Sequence, residues 1–147
     1  MSKRVAAIAG AGLLALASLT GPARGASNPL LLFGGPEQRE FLGCLNCDAS
    51  EPYSIWNAAS QFGDPAQPLC IWNRNGPYGS ADSPHGPWSA RRETLPVVVD
   101  RAGNFWGYFA ADPRVRGRVT DGYLVWLLEA RGWIADHLDI MREEWRP

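Results

Sequence analysis

YSIWNAASQFGD, residues 53–64, is answered sixteen residues later by LCIWNRNGPYGS (69–80) and sixteen after that by HGPWSARRETLP (85–96). Trp56, Trp72 and Trp88 keep one period. So do Pro52, Pro68 and Pro84, each four residues ahead of its Trp. Ile55 and Ile71 precede the first two Trp, and Asn57 and Asn73 follow them. In the third copy Pro87 and Ser89 fill these places. Phe62-Gly63 and Tyr78-Gly79 close two copies, and the third has lost the pair. Two residue types agreeing three times at fixed spacing define a tandem repeat over residues 51–94. Sixteen residues is shorter than the familiar helical repeats, and Pro with Gly or Ser in each unit opposes a long helix. The expected unit is turn-rich. It is too small to bury its own Trp, so the units should stack and cover one another's rings.

Outward from the repeat the patterning changes. Residues 26–40 form a lead-in containing LLLFGGPEQRE, broken at Gly34-Gly35-Pro36, and FLGCLNC follows at 41–47. Residues 95–111 hold a β-branched run, a polar turn and an aromatic run, which predicts a β-hairpin. Its second strand would place Trp106 and Tyr108 on one face and Phe105 and Phe109 on the other. Aromatics on both faces imply that both are covered, and Gly107 suits a close backbone approach. Residues 112–121, DPRVRGRVTD, read as a polar connector. Arg114, Arg116 and Arg118 alternate there. An exposed connector between Asp112 and Asp121 is favoured over an anion or lipid-headgroup contact. From 121 to 145, Leu124, Leu127, Leu128, Ile134, Leu138, Met141 and Trp145 keep helical spacing. Thr120 or Asp121 is the expected N-cap, with a break near Gly132 between two helices. The expected fold is a single α+β domain over 26–147: a turn-rich Trp repeat, a β-hairpin and a C-terminal helical pair.

Residues 1–25 have the layout of a secretory signal peptide. Lys3 and Arg4 precede an apolar run that ends at Gly21-Pro22, and Ala23 and Gly25 suit cleavage before Ala26. An uncleaved anchor is the weaker reading, because Gly10, Gly12 and Ser18 interrupt a run already short for a span. No Cys follows it to carry a lipid, and no membrane span is expected after cleavage. The remaining chain has 11 Arg, no Lys and 15 acids, a net charge of −4. An acidic chain without a basic tail argues against nucleic-acid binding. Export to the bacterial periplasm or beyond is the expected location, and an oxidising compartment makes a disulfide the default for Cys44, Cys47 and Cys70.

FLGCLNC, the tandem Ile-Trp-Asn and Tyr-Gly-Ser units, PVVVDRAGNFWGYF and the Trp-containing C-terminal helix together resemble a group of small exported bacterial proteins. Repeats in that group run Ser-Ile-Trp-Asn, then Tyr-Gly-x-Tyr-Gly-Ser, and close with Ser-Pro-Trp-Asn. The resemblance covers about residues 33–145. It implies architecture and export and carries over no catalytic residue. This chain departs from the pattern: Cys70 and Gly86 stand in the Ser54 slot, and SQFGD stands where Tyr-Gly-Ser is expected.

Three sets of residues are candidates for chemistry. Cys44-Leu45-Asn46-Cys47 is a Cys-x-x-Cys, which suits a redox pair or half of a metal site. No βαβ pattern surrounds it, and Asp48 stands where haem attachment needs His. The favoured reading is structural: a disulfide from Cys70 to one member of the pair, closing a loop of about 25 residues. Trp56, Trp72, Trp88, Tyr53, Tyr78, Asn57 and Asn73 would form a sugar-stacking platform if exposed. As core, the rings would pack on one another and the Asn would serve the turns. His85, in the slot of Tyr53 and Leu69, suits packing or surface better than catalysis. No Gly-x-Ser-x-Gly, zinc-protease, phosphate-loop or calcium-loop motif is present, and Glu143-Glu144 reads as a solvated helix face. No cofactor or metal set is assigned. The sequence favours a non-enzymatic structural or binding module of the cell envelope, with a glycan or protein partner. The alternative is a thiol-redox or metal-binding protein using Cys44 and Cys47.

Overall fold

The computed structural model describes residues 28–145, so the signal segment expected at 1–25 lies outside them. The chain is α+β. Strands β1 (Leu30–Gly34), β2 (Glu40–Cys44), β3 (Val97–Asp100) and β4 (Phe105–Tyr108) form one antiparallel sheet in the order β2-β1-β3-β4. The tandem repeat is inserted between β2 and β3. Helices α1 (Gly122–Glu129), α2 (Arg131–Asp136) and α3 (Leu138–Glu144) follow β4.

The lead-in is the first departure from the sequence reading. LLLFG is a central strand, with Leu31 opposite Cys44 on one side and Val99 on the other. GGPEQR is the turn of a first hairpin. Gly35 has φ +72, and a single 3-10 turn follows at Pro36–Gln38. Its burial alternates, but the half-buried positions hold Leu31 and Phe33, so the sequence is apolar without a break and periodicity alone does not mark a strand.

The repeat is a coil of three-residue turns. Backbone N–H groups bond to the carbonyl three residues back at Ser54, Asn57, Ser60 and Gly63, and again at Gln67, Cys70, Asn73 and Gly76, at 2.9–3.3 Å. A four-residue step closes each of the first two copies: Asp64 bonds to Ser60 O and Ser80 to Gly76 O, both 3.0 Å. Five steps of three and one extra residue make the sixteen. Polar side chains at the turn corners hold the next N–H but one. Ser54 Oγ accepts from Trp56 N, Asn57 Oδ1 from Ala59 N, Ser60 Oγ from Phe62 N, Asp64 Oδ1 from Ala66 N and Asn73 Oδ1 from Asn75 N. These are Asx and Ser turns, which stabilise a bend locally. Pro52 and Pro68 occupy the second position of the turns closed by Ser54 and Cys70, where a fixed φ is favourable. The third copy keeps the Gly86–Ser89 turn, then opens into a loop tied to Pro84 O by Glu93 N and Thr94 N.

At Gly63 and Gly79 a Cβ would stand 2.1 Å and 2.0 Å from the carbonyl oxygens of Asn57 and Asn73. The aromatic-Gly pair is therefore required by close approach of two backbone turns. Leu95 holds that slot in the third copy, where the coil has ended.

The helical segment has two interruptions, at Ala130 and His137, and Gly132 lies inside α2 rather than at a break. Ile134 N bonds to Ala130 O and Met141 N to His137 O. Ala130 and His137 thus each end one short helix and open the next, and the three follow one another as a bent, twice-interrupted rod. Asp121 is the N-cap, its Oδ1 accepting from Tyr123 N and Leu124 N. Leu124, Leu127, Ile134, Leu138 and Met141 face the core. Among the described residues no helix is long and apolar enough to cross a membrane.

Candidate functional site

Cys44 ends β2. The Asn46 side chain then folds the chain back over β1: its Oδ1 accepts from Leu30 N at 2.8 Å, and its Nδ2 donates to Asn28 O at 3.0 Å. This brings the Cα atoms of Cys44 and Cys47 to 5.5 Å, and the two are joined in a disulfide. The pairing of Cys70 with one of them is thus corrected. Cys70 is a free, buried thiol, held in the second copy by the turn that holds Ser54 in the first. Burial pushes its pKa up to about 11, so it is protonated at neutral pH and is a poor nucleophile. Among the described residues no three His, Cys, Asp or Glu side chains converge to hold a metal ion.

The repeat rings are core. Trp56 is fully buried and Trp72 is 2 % exposed, while Trp88 is half-buried. Their centroids form a ladder, 5.3 Å from Trp56 to Trp72 and 6.3 Å from Trp72 to Trp88. Trp145 covers the Trp56 end at 5.5 Å, and Phe109 meets the Trp88 end edge-on at 6.4 Å. The indoles also bond: Trp72 Nε1 donates to Ile55 O, Trp88 Nε1 to Leu128 O and Trp145 Nε1 to Cys47 O. Trp56 Nε1 has no well-formed acceptor. The Tyr123 hydroxyl beside it donates to Leu45 O instead. Tyr78 is buried, and Tyr53 is half-buried. Asn57 Nδ2 and Asn73 Nδ2 donate to Glu51 O and Gln67 O, six residues back. Of the seven residues expected to form a platform if exposed, the three Trp, Tyr78 and the two Asn are thus occupied within the fold, and Tyr53 is half-buried. His85, half-buried, is bonded through Nδ1 to Thr94 Oγ1.

Two arginines of the helical rod read the coil in register. Arg142 donates through Nε to Trp56 O and through Nη2 to Gly63 O, at 3.1 and 2.7 Å. Arg131 donates to Gly79 O and lies 4.6 Å over the Trp88 ring. Gly63 and Gly79 are one repeat apart, and the arginines are eleven residues apart, about 16 Å along a helix. In the connector, Arg114 pairs with Asp112, while Arg118 is turned onto Ala110 O.

The exposed aromatic surface lies elsewhere. A bulge between Val98 and Val99 shifts the β3–β4 register, and Phe105 and Trp106 are 57 % and 40 % exposed. The covering expected on both faces of β4 reaches Gly107 and Phe109 only. Gly107 has φ +133 and lies against the backbone of Gly117 and Val119, the close approach expected of it. At the hairpin tip the buried Asp100 carboxylate gathers five donors. Oδ1 accepts from Ala102 N and Asn104 N; Oδ2 accepts from Asn28 Nδ2, Asn104 Nδ2 and Trp106 Nε1, the last at 3.3 Å. The Asn104 side chain first, then its N–H, Asn28 and Trp106, hold the Asp100 carboxyl well below the usual carboxylate range against the opposing effect of burial. Sequence reasoning missed this assembly. Asp100 and Asn104 were legible as a turn, but Asn28 reaches them from the far end of the described chain. Comparison with family models, curated proteins and solved structures returned no match.

Proposed function

We propose that this chain is a non-enzymatic binding module of the bacterial cell envelope, exported by its N-terminal segment, in which the Trp coil is scaffold and the β3–β4 tip holds out a surface for glycan. The observation that carries this reading is Trp106, 40 % exposed with its indole N–H tied to the Asp100 carboxylate. A ring held from behind loses little conformational freedom when a sugar face stacks on it. Exposed Arg101 on the same turn stands ready for hydroxyl groups. The test is calorimetric titration of residues 26–147 with soluble peptidoglycan fragments and other envelope glycans. Saturable binding that Trp106→Ala removes and Trp133→Ala leaves intact is expected. No binding to any of these glycans, or equal binding by Trp106→Ala, overturns the reading.

Thiol exchange at Cys44–Cys47 has one observation in its favour, the partial exposure of Cys47. Against it, Cys44 is buried at a strand end, where loss of water disfavours a thiolate. Reduced protein that turns over a disulfide substrate faster than its Cys47→Ser variant would favour exchange over the scaffold reading.

A further inference from the structure

The outer side of the helical rod carries an apolar stripe with acidic margins. Trp126, Trp133 and Ile140 are 38 %, 51 % and 45 % exposed, at an even spacing of seven residues. One stands on each helix, and each directly precedes a buried residue, Leu127, Ile134 or Met141, so the three lie on the side turned away from the core. Exposed Glu129, Asp136, Asp139, Glu143 and Glu144 flank them. The two arginines of the rod offer no balance, because Arg131 and Arg142 are turned inward onto Gly79, Trp56 and Gly63 carbonyls. Among the described residues Asp136 pairs with Arg74 at 3.0 Å and Glu129 with Arg118 at 3.8 Å, and His137 stacks on the Trp133 ring at 4.4 Å.

We propose that this stripe is a docking surface for a cationic amphipathic helix of a partner protein, with apolar residues on the Trp126–Trp133–Ile140 line and Lys or Arg beside the acids. Charge selects this occupant. A second copy of the rod would set acid against acid, and an anionic lipid surface would be repelled in the same way. Three large exposed apolar anchors, one on each helix, suit the apolar face of an amphipathic helix. The proposal rests on different residues from the glycan reading and stands or falls separately.

The test uses residues 26–147 and two synthetic 15-residue peptides with Leu on one face and either Lys or Glu on the other, followed by calorimetry and by NMR shifts of the Trp133 indole. The Leu/Lys peptide should bind saturably at one site, more weakly as salt rises. Trp133→Ser/Ile140→Ser should weaken it at least tenfold, and Glu129→Gln/Asp139→Asn/Glu143→Gln several-fold. All five side chains are exposed, so thermal melts of both variants should match the parent, and Phe105→Ser should bind as the parent does. Equal binding of the Leu/Glu peptide, no binding of the Leu/Lys peptide, or unchanged binding by the double variant overturns the proposal. Stripe-dependent binding to phosphatidylcholine vesicles in preference to the Leu/Lys peptide also overturns it, and assigns the stripe to a membrane surface.

Discussion

In the coil, Trp72 is 2 % exposed, lies between two other indoles and donates its N–H to the preceding repeat; at the hairpin tip, Trp106 is 40 % exposed and donates its N–H to a carboxylate that no repeat supplies. The two rings show how position in a hydrogen-bond pattern decides what a Trp does. In the coil many bends, at Ser54, Asn57, Ser60, Asp64 and Asn73, are held by a side chain bonded two residues on, so the backbone path is set locally and every sixteenth residue returns to the same ladder. At the tip, Asp100 draws donors from Asn28, Ala102, Asn104 and Trp106, and the ring is fixed at the surface.

The largest way to break the comparison is to remove the middle rung. Trp72→Ala should cost about 3–5 kcal/mol of stability in chemical denaturation, the range for emptying a large buried aromatic site. A loss under about 1 kcal/mol would place Trp72 with Trp106 instead. Gly79→Ala comes next. Its Cβ would meet Asn73 backbone atoms, which cannot rotate away, and overpacking of this kind typically costs about 1–3 kcal/mol. Gly103→Ala and Gly132→Ala separate the causes. Neither Cβ meets an atom within 4 Å, but Gly103 has φ +85, so only that substitution should cost stability through backbone strain.

A smaller effect sharpens the tip. The folded Asp100 carboxyl lies below its ordinary value. Its contribution to stability is therefore full above the unfolded value, about pH 4, and is lost as pH falls through the folded one. The stability difference between the parent and Asp100→Asn should stay level from pH 8 to 6 and shrink below about pH 4. A difference that grows on acidification would reverse the sign of the argument. The smallest expected effect is that of Trp106→Ala, within about 0.5 kcal/mol in denaturation, as for other exposed sites. Glycan titration is where that variant should show its loss.

How much of this was legible follows from where the determining bonds run. The period of Trp, Pro and Gly was plain because one local pattern is written repeatedly, and the hairpin at 95–111 was plain because its strands are adjacent in sequence. The three-residue step was present too, in Ser54, Asn57 and Ser60, but it registers as turn propensity until the bonds are seen. Strand β1 was hidden because LLLF is apolar at every position, so no alternation shows, and because its partner β3 lies across the whole repeat. The cysteine pairing depended on Asn46 bonding to Asn28 and Leu30, which no spacing rule contains. The stripe of Trp126, Trp133 and Ile140 keeps helical spacing just as the core positions do. The inward side was legible from Leu124, Leu127, Ile134, Leu138 and Met141; that Trp126, Trp133 and Ile140 are left exposed shows only in the structure.

The central claim is that the sixteen-residue repeat is architecture, with its rings sealed against water. Hydrogen exchange of the indole N–H groups, followed by NMR on protein labelled with ¹⁵N-Trp, tests it ring by ring. Trp72, bonded to Ile55 O inside the ladder, should exchange only with global unfolding, while Trp126 and Trp133 exchange within the dead time. Exchange of Trp72 as fast as that of Trp126 and Trp133 would contradict the account.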